Sequence, residues 1–306
     1  MKTHTRRNFI KLATASSVAL AAGSGPAFSS NSVHRKPIPK SGEMIPVIGM
    51  GTWITFNVGG NIALRDHRTK VLKTFFDLGG GMIDSSPMYG SAEEVLGYCL
   101  SRLSNTSGMF SATKVWTPAS AQGRDQIDTS FRLWGVNKFD LFQVHNLVNW
   151  EDHLNTLRER RAAGQIRYIG ITTSHGSRHR EMAHIMKTQD IDFIQFTYNV
   201  EDRDAEELLL PLAAERGIAT IINRPFQRGS LIDRLDGKPL PTWASDYDIK
   251  TWAQYLLKFV ISHPAVTCAI PATSKIDHMQ ENMEVLQTRL PDSKGRQRLL
   301  DYVQSL

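Results

Sequence analysis

The chain has 306 residues, 41% of them hydrophobic and 22% charged. That length is enough to bury one large core, and no run reaches the roughly 18 apolar residues of a spanning helix, so no stable membrane anchor is expected. The formal charge of +6 falls to +2 without Lys2, Arg6, Arg7 and Lys11, which share a leader free of acidic residues, and no basic stripe interleaved with aromatics points to nucleic acid.

The leader reads MKTHTRRNFIKLATASSVALAAGSGPAFSS. A basic start, an Ala-rich apolar run and then small residues form an export-signal pattern. Within it, TRRNFIK resembles the twin-arginine signal. Gly25 and Ala27 are the small residues expected before a cut after Ala27, and a cut after Ser29 fits almost as well. Residues 1–27, or to about 29, are therefore read as signal peptide and 28–306 as the folded domain. The resemblance implies engagement of the twin-arginine export machinery and a periplasmic or exported location.

Beyond the leader, Ser41-Gly42 suggests the turn of a short hairpin. Eight apolar segments follow: PVIGMGTW, GGMID, MFSATK, FDLFQVH, IRYIGITT, DFIQFTYN, IATIINR and VTCAIPATS. Most are spaced by the roughly 30 residues of a βα unit. Helix signals fall between them. Asp66 is placed to cap a helix carrying Val71, Leu72, Phe75 and Phe76, which Gly79-Gly80 stops. Ser91 and Glu94 have capping-box spacing, and Gly164 and Gly217 end later helices. Leu299, Leu300 and Val303 mark a C-terminal helical tail. Buried strands alternating with helices argue α/β architecture, and eight such units argue a single (β/α)8 TIM barrel. An open doubly wound sheet would carry a Gly-rich phosphate turn, and GMGTW is not one.

In such a barrel, chemistry gathers at the C-terminal ends of the strands. The second segment ends in Asp84 with Tyr89 just beyond, the third in Lys114, the fourth in His145. Together they make a proton donor. A phenol ordinarily titrates near 10, and a neighbouring ammonium favours its ionised form, so Lys114 is expected to lower the Tyr89 pKa. Asp84 would hold Lys114 charged, and His145 would orient a carbonyl oxygen that Tyr89 protonates. No metal is expected, because His145 has no second His at ligand spacing on its strand. His175 and His179 lie at a helix start.

The segments GMGTW, IDSSPMYGSAEEVLG, SATKVW, FQVHN, YIGIT, FIQFTYN, RPFQRGSL and IPATSKIDHMQEN resemble, in order, those of the aldo-keto reductases. The resemblance implies a catalytic tetrad at Asp84, Tyr89, Lys114 and His145. It also implies hydride transfer between a nicotinamide dinucleotide and a carbonyl carbon, with NADP(H) favoured and NAD(H) in reserve. The implied cofactor contacts are Gly51, Thr52, Thr172, Thr173, Gln195, Arg224, Gly229, Ser230, Leu231, Thr273, Ser274, Lys275, His278, Glu281 and Asn282. Gln195 would hold the carboxamide, Gly229 to Leu231 the pyrophosphate, and Glu281 with Asn282 the adenine. Two departures stand out. Thr173 replaces an asparagine, and Asn223-Arg224 stands where an aromatic often stacks on the nicotinamide. Arg224 is left between a cofactor contact and an ion pair with an acid. Trp53 and Trp116 are implied walls of the substrate pocket, with Trp150 either a third wall or a helix-capping aromatic.

Two functions follow. One is an NAD(P)H-dependent oxidoreductase reducing an aldehyde or ketone to an alcohol, or the reverse. The other is an exported dinucleotide-binding or sensing protein of the same fold with little turnover. Cys99 on an outer helix and Cys268 in the last strand are too far apart around the ring to bridge.

Overall fold

A computed structural model describes residues 33–306, so the signal peptide read at residues 1–27 lies outside the described residues. The described chain opens with an antiparallel hairpin of β1 (Arg35–Pro37) and β2 (Met44–Pro46), whose turn holds Gly42 at φ 74°. Eight parallel strands follow: β3 (Met50–Gly51), β4 (Met82–Asp84), β5 (Phe110–Val115), β6 (Phe139–Val144), β7 (Ile166–Thr172), β8 (Phe193–Thr197), β9 (Ala219–Asn223) and β10 (Cys268–Ala269). They pair in sequence order from β3 to β10. Parallel bridges of Ile48 to Ala269 and of Gly51 to Ala272 join the first strand to the last and close the ring. That closure needs bare backbone at Gly51, because a Cβ there would sit 2.9 Å from the Ile270 carbonyl oxygen.

The outer layer comprises α1 (Ile62–Asp77), α2 (Ala92–Leu100), α3 (Ser120–Trp134), α4 (Trp150–Ala162), α5 (His179–Thr188), α6 (Leu209–Arg216), α7 (Ser230–Leu235), α8 (Trp252–Ile261) and α9 (Ile276–Glu284), with the tail α10 (Ser293–Gln304). Two apolar clusters result. Met82, Phe110, Leu141, Tyr168, Phe193, Ile221 and Cys268 fill the barrel, plugged from below by Ile38 and Ile45 of the hairpin. Ile83, Phe142, Ile169, Ile194 and Ile222, the alternate strand positions, pack outward against the helices. This is the period-2 alternation of a strand buried on both faces.

The helix ends correct two sequence expectations. Asp66 does not cap α1: the cap is Asn61, whose Oδ1 accepts from the Leu64 amide at 3.1 Å. The first turn exposes Ile62 and Leu64, so the buried-face periodicity begins later than the helix does. Ser91 and Glu94 form no capping box. Ser91 Oγ instead accepts from the Gly59 amide at 2.8 Å and donates to Asn57 Oδ1, while Glu94 pairs with Arg65 at 2.5 Å. Partners brought by the β3–α1 loop and α1 take the polar groups that a local cap would use. Gly79, Gly164 and Gly217 do end their helices, at φ 88°, 75° and 64°. Cys99 and Cys268 are free, buried thiols.

Candidate active site

The alternation that fills the barrel also builds its mouth. Two residues beyond Met82, Asp84 faces the same way; two beyond Ala112 comes Lys114; two beyond Leu141 comes Gln143; two beyond Phe193 comes Gln195. The C-terminal ends of β4, β5, β6 and β8 thus turn polar side chains inward over an apolar floor. Pro87–Tyr89 forms a single 3-10 turn after β4, capped by Ser86, which brings Tyr89 back over the mouth.

Asp84 and Lys114 form an ion pair with side chains 2% and 0% exposed. Lys114 Nζ donates to Asp84 Oδ1 and, at 2.7 Å, to the Ser85 carbonyl. The other carboxylate oxygen accepts from Gln143 Nε2 and Gln195 Nε2, both at 3.0 Å. Thr52 Oγ1 donates to the Asp84 carbonyl at 3.0 Å, tying the end of β3 to that of β4. Lys114 Nζ lies 5.2 Å from the centre of the Tyr89 ring. Tyr89 and His145 meet edge to face, 5.7 Å apart at 87°. His145 Nδ1 is 2.8 Å from Ser86 Oγ. The structure therefore brings together all four residues read from the strand ends.

The electrostatics amend one expectation. Burial pushes the Tyr89 phenol above its ordinary value, and the charge and hydrogen bond of Lys114 offset that only in part, so the net shift is upward. Burial works against the Lys114 charge, but Asp84 and then Tyr89 outweigh it and raise its pKa, so it is an ammonium at neutral pH. Burial, with the Lys114 charge second, holds His145 well below its ordinary value and hence neutral.

Most of the residues read as cofactor contacts lie from β7 round to α9, with Gly51 and Thr52 at the end of β3. Thr172 Oγ1 accepts from the Asn146 amide at 3.3 Å, and Thr173 is buried. Asn223 is committed to its neighbours: it accepts from Thr197 Oγ1 at 2.7 Å and donates to the Thr173 carbonyl at 3.2 Å. Arg224 pairs with no acid among the described residues; its Nη1 and Nη2 donate to the carbonyl and hydroxyl of Ser174 at 2.8 and 3.0 Å. It thus ties the β9 loop to the β7 loop. Gly229, at φ 101°, adopts the backbone that starts α7 at Ser230 and buried Leu231. Lys275 precedes α9, with its amide donating to Thr273 Oγ1 at 3.1 Å. On α9, His278 is exposed, Glu281 half-buried and Asn282 buried.

The tryptophans divide. Trp53 is half-buried, with the Arg228 guanidinium 4.7 Å over its ring. Trp116 is 40% exposed at the end of β5, its amide held by Gln126 at 2.5 Å. Trp150 opens α4 and packs, partly buried, against the outer core.

Sequence reasoning passed over four residues. Gln143 is signalled by its place two residues before His145 on β6. Ser86 carries no signal but its position in SSPMY. His67 Nε2 and Arg68 Nη1 lie 3.0 and 3.3 Å from the Ser274 carbonyl. They add nitrogen donors beside Thr273, Ser274 and Lys275 that the helix pattern of α1 did not reveal.

Comparison with known proteins agrees with this geometry. A model of the Aldo/keto reductase family matches residues 47–297. Methylglyoxal reductase YeaE of Escherichia coli (strain K12) is 26% identical over 268 residues, covering 86% of this chain and 93% of that protein. The NADH-specific methylglyoxal reductase of the same organism is 24% identical over 251 residues, covering 70% and 73%. An aldo/keto reductase from Klebsiella pneumoniae, solved in complex with NADP and acetate, superposes with a TM-score of 0.73 at 25% identity, covering 89% of this chain and 95% of that one.

Proposed function

The chain belongs to the aldo/keto reductase family, and we infer that its substrate carbonyl is bound at the barrel mouth beside Tyr89 and His145, with Tyr89 supplying the proton as the oxygen becomes an alkoxide. The protein is an NAD(P)H-dependent oxidoreductase interconverting a small aldehyde or ketone and its alcohol. One observation carries the assignment of Tyr89: the phenol stands over a fully buried Lys114–Asp84 pair with a neutral imidazole at its edge.

Each residue then has a task. Tyr89 stays protonated at neutral pH because burial raises its pKa. Lys114 stabilises the phenolate left behind once the proton is given. Asp84, with Gln143 and Gln195 on its second oxygen, keeps Lys114 charged and aimed. His145 polarises the carbonyl oxygen through a neutral ring, so it adds no competing acid.

The residues present fit a dinucleotide. The hydroxyls of Thr273 and Ser274 stand beside Lys275, Arg68 and His67, a donor set suited to a phosphate. Buried Oδ1 of Asn146, next to His145, has no partner among the described residues, and it suits a ligand N–H at the nicotinamide end. When bound, the cofactor supplies the hydride. NADP(H) is favoured over NAD(H). Titrating mature protein with NADPH and NADH tests this: NADPH should bind about tenfold more tightly, and Arg68→Ala or Lys275→Ala should erase the difference. Equal affinities in the parent protein would contradict the NADP(H) reading.

The leader supports export: Arg6-Arg7 followed by Phe9, Ile10 and Lys11 is the motif of a pathway that carries proteins already folded. The protein is accordingly read as a periplasmic or exported enzyme that leaves the cytoplasm with its cofactor in place. Replacing both arginines by lysine should retain it in the cytoplasm, and unchanged fractionation would refute the export reading. Nucleotide released on denaturing the exported protein, with negligible turnover on any carbonyl, would favour the binding or sensing role instead.

A further inference from the structure

We propose that Ser86 is a positioning residue for the reduction: its hydroxyl donates to His145 Nδ1 and thereby fixes the imidazole proton on Nε2, the nitrogen left to face the substrate oxygen. The inference rests on the reading of His145 as the carbonyl-orienting group.

The hydrogen-bond inventory of Ser86 decides the direction. Its side chain is fully buried, so its proton needs a protein acceptor. Oγ already accepts from the Met88 amide at 3.2 Å. Among the described residues the one acceptor within reach is His145 Nδ1, at 2.8 Å. If Nδ1 carried the proton instead, Oγ would face two donors and the Ser86 proton would be orphaned in the interior, which costs about 1–3 kcal/mol. A neutral imidazole has one donor nitrogen and one acceptor nitrogen. With Nδ1 fixed as acceptor, Nε2 must be the donor, as a ring that bonds a developing alkoxide requires. The opposite tautomer would present a lone pair to that oxygen and repel it. The device acts on a neutral ring, which burial and the Lys114 charge maintain, because a doubly protonated imidazole would donate from both nitrogens whatever Ser86 did.

The backbone holds Ser86 in place independently of His145. Its φ and ψ of −164° and 146° are extended, and its Oγ caps the 3-10 turn that carries Tyr89. One side chain therefore sets both the position of the proton donor and the tautomer of its neighbour.

Nitrogen-15 NMR of histidine-labelled protein reads the tautomer, with His145→Gln assigning the signal among the ten histidines. The parent protein should show Nε2 protonated and Nδ1 bare. Ser86→Ala should mix the tautomers and lower kcat about tenfold, a fraction of the hundredfold or more that losing an oxyanion donor costs. The Kd for NADPH should not change. Ser86→Thr keeps the hydroxyl and suits the extended backbone, so it should restore both the tautomer and kcat to within about twofold. A parent His145 protonated on Nδ1 would overturn the proposal. So would a Ser86→Ala protein whose tautomer is unchanged, whatever its kcat. A parent protein that oxidises NADPH with no carbonyl would instead overturn the functional reading, while the tautomer measurement still decides what Ser86 does.

Discussion

The Asp84–Lys114 pair lends itself to a double-mutant cycle whose asymmetry can be worked out in advance. Both side chains are shut off from water, and breaking a buried pair by removing one partner costs about 3–5 kcal/mol, because a bare charge is left behind. The two single substitutions differ in what remains. In Lys114→Met the Asp84 carboxylate keeps two amide donors, Gln143 Nε2 and Gln195 Nε2. In Asp84→Asn the Lys114 ammonium keeps only neutral acceptors, among them the Ser85 carbonyl and the Tyr89 hydroxyl, and loses its counter-charge. Asp84→Asn should therefore sit near the upper end of that range and Lys114→Met near the lower. The double substitution leaves no buried charge and should recover about 2–3 kcal/mol of the summed loss. The assay is equilibrium urea unfolding, with the shift read from the midpoint at constant slope. Single substitutions that cost less than about 1 kcal/mol, or costs that simply add, would refute the account of a desolvated, mutually dependent pair.

The pH profile should be broad. Reduction needs Tyr89 protonated and His145 neutral; the Tyr89 pKa is raised above 10.0 and that of His145 is lowered well below 6.5, so kcat/KM should be level between those limits and fall on the alkaline side only above 10.0. A limb centred near neutrality would contradict those assignments. In the scaffold, a Cβ at Gly97 would lie 1.8 Å from the Leu133 carbonyl oxygen, where α2 crosses α3. Gly97→Ala should cost about 3 kcal/mol or more, read as a fall in thermal midpoint, since backbone cannot move aside as a side chain can; an unchanged midpoint would show that the two helices are not so closely packed.

Much of this site was legible because a strand buried on both faces leaves one rule, alternation. Asp84, Lys114 and His145 were found at strand ends, where polarity interrupts an apolar run, whereas Gln195 entered only through the family resemblance. Gln143 obeys the same rule, but it reads as one more polar residue until Lys114 is placed beside it on β5. Ser86 was illegible for a different reason: its partner His145 is 59 residues away, and no local pattern announces the pair. The helix caps erred in the same direction. Ser91 and Glu94 have capping spacing, yet Asn57, Gly59 and Arg65 supply better-placed partners, so tertiary contacts override the local motif. The Tyr89 shift went the opposite way because sequence shows the nearby cation but not the depth of burial, and burial is the larger effect.

The central claim is that Tyr89 is the proton donor, and Tyr89→Phe tests it most directly. The ring keeps its edge contact with His145, and only the hydroxyl is lost. Steady-state NADPH oxidation with an aldehyde should fall by about a hundredfold to ten-thousandfold, while the Kd for NADPH stays within about twofold. A Tyr89→Phe protein that retained full turnover would show that the proton comes from elsewhere.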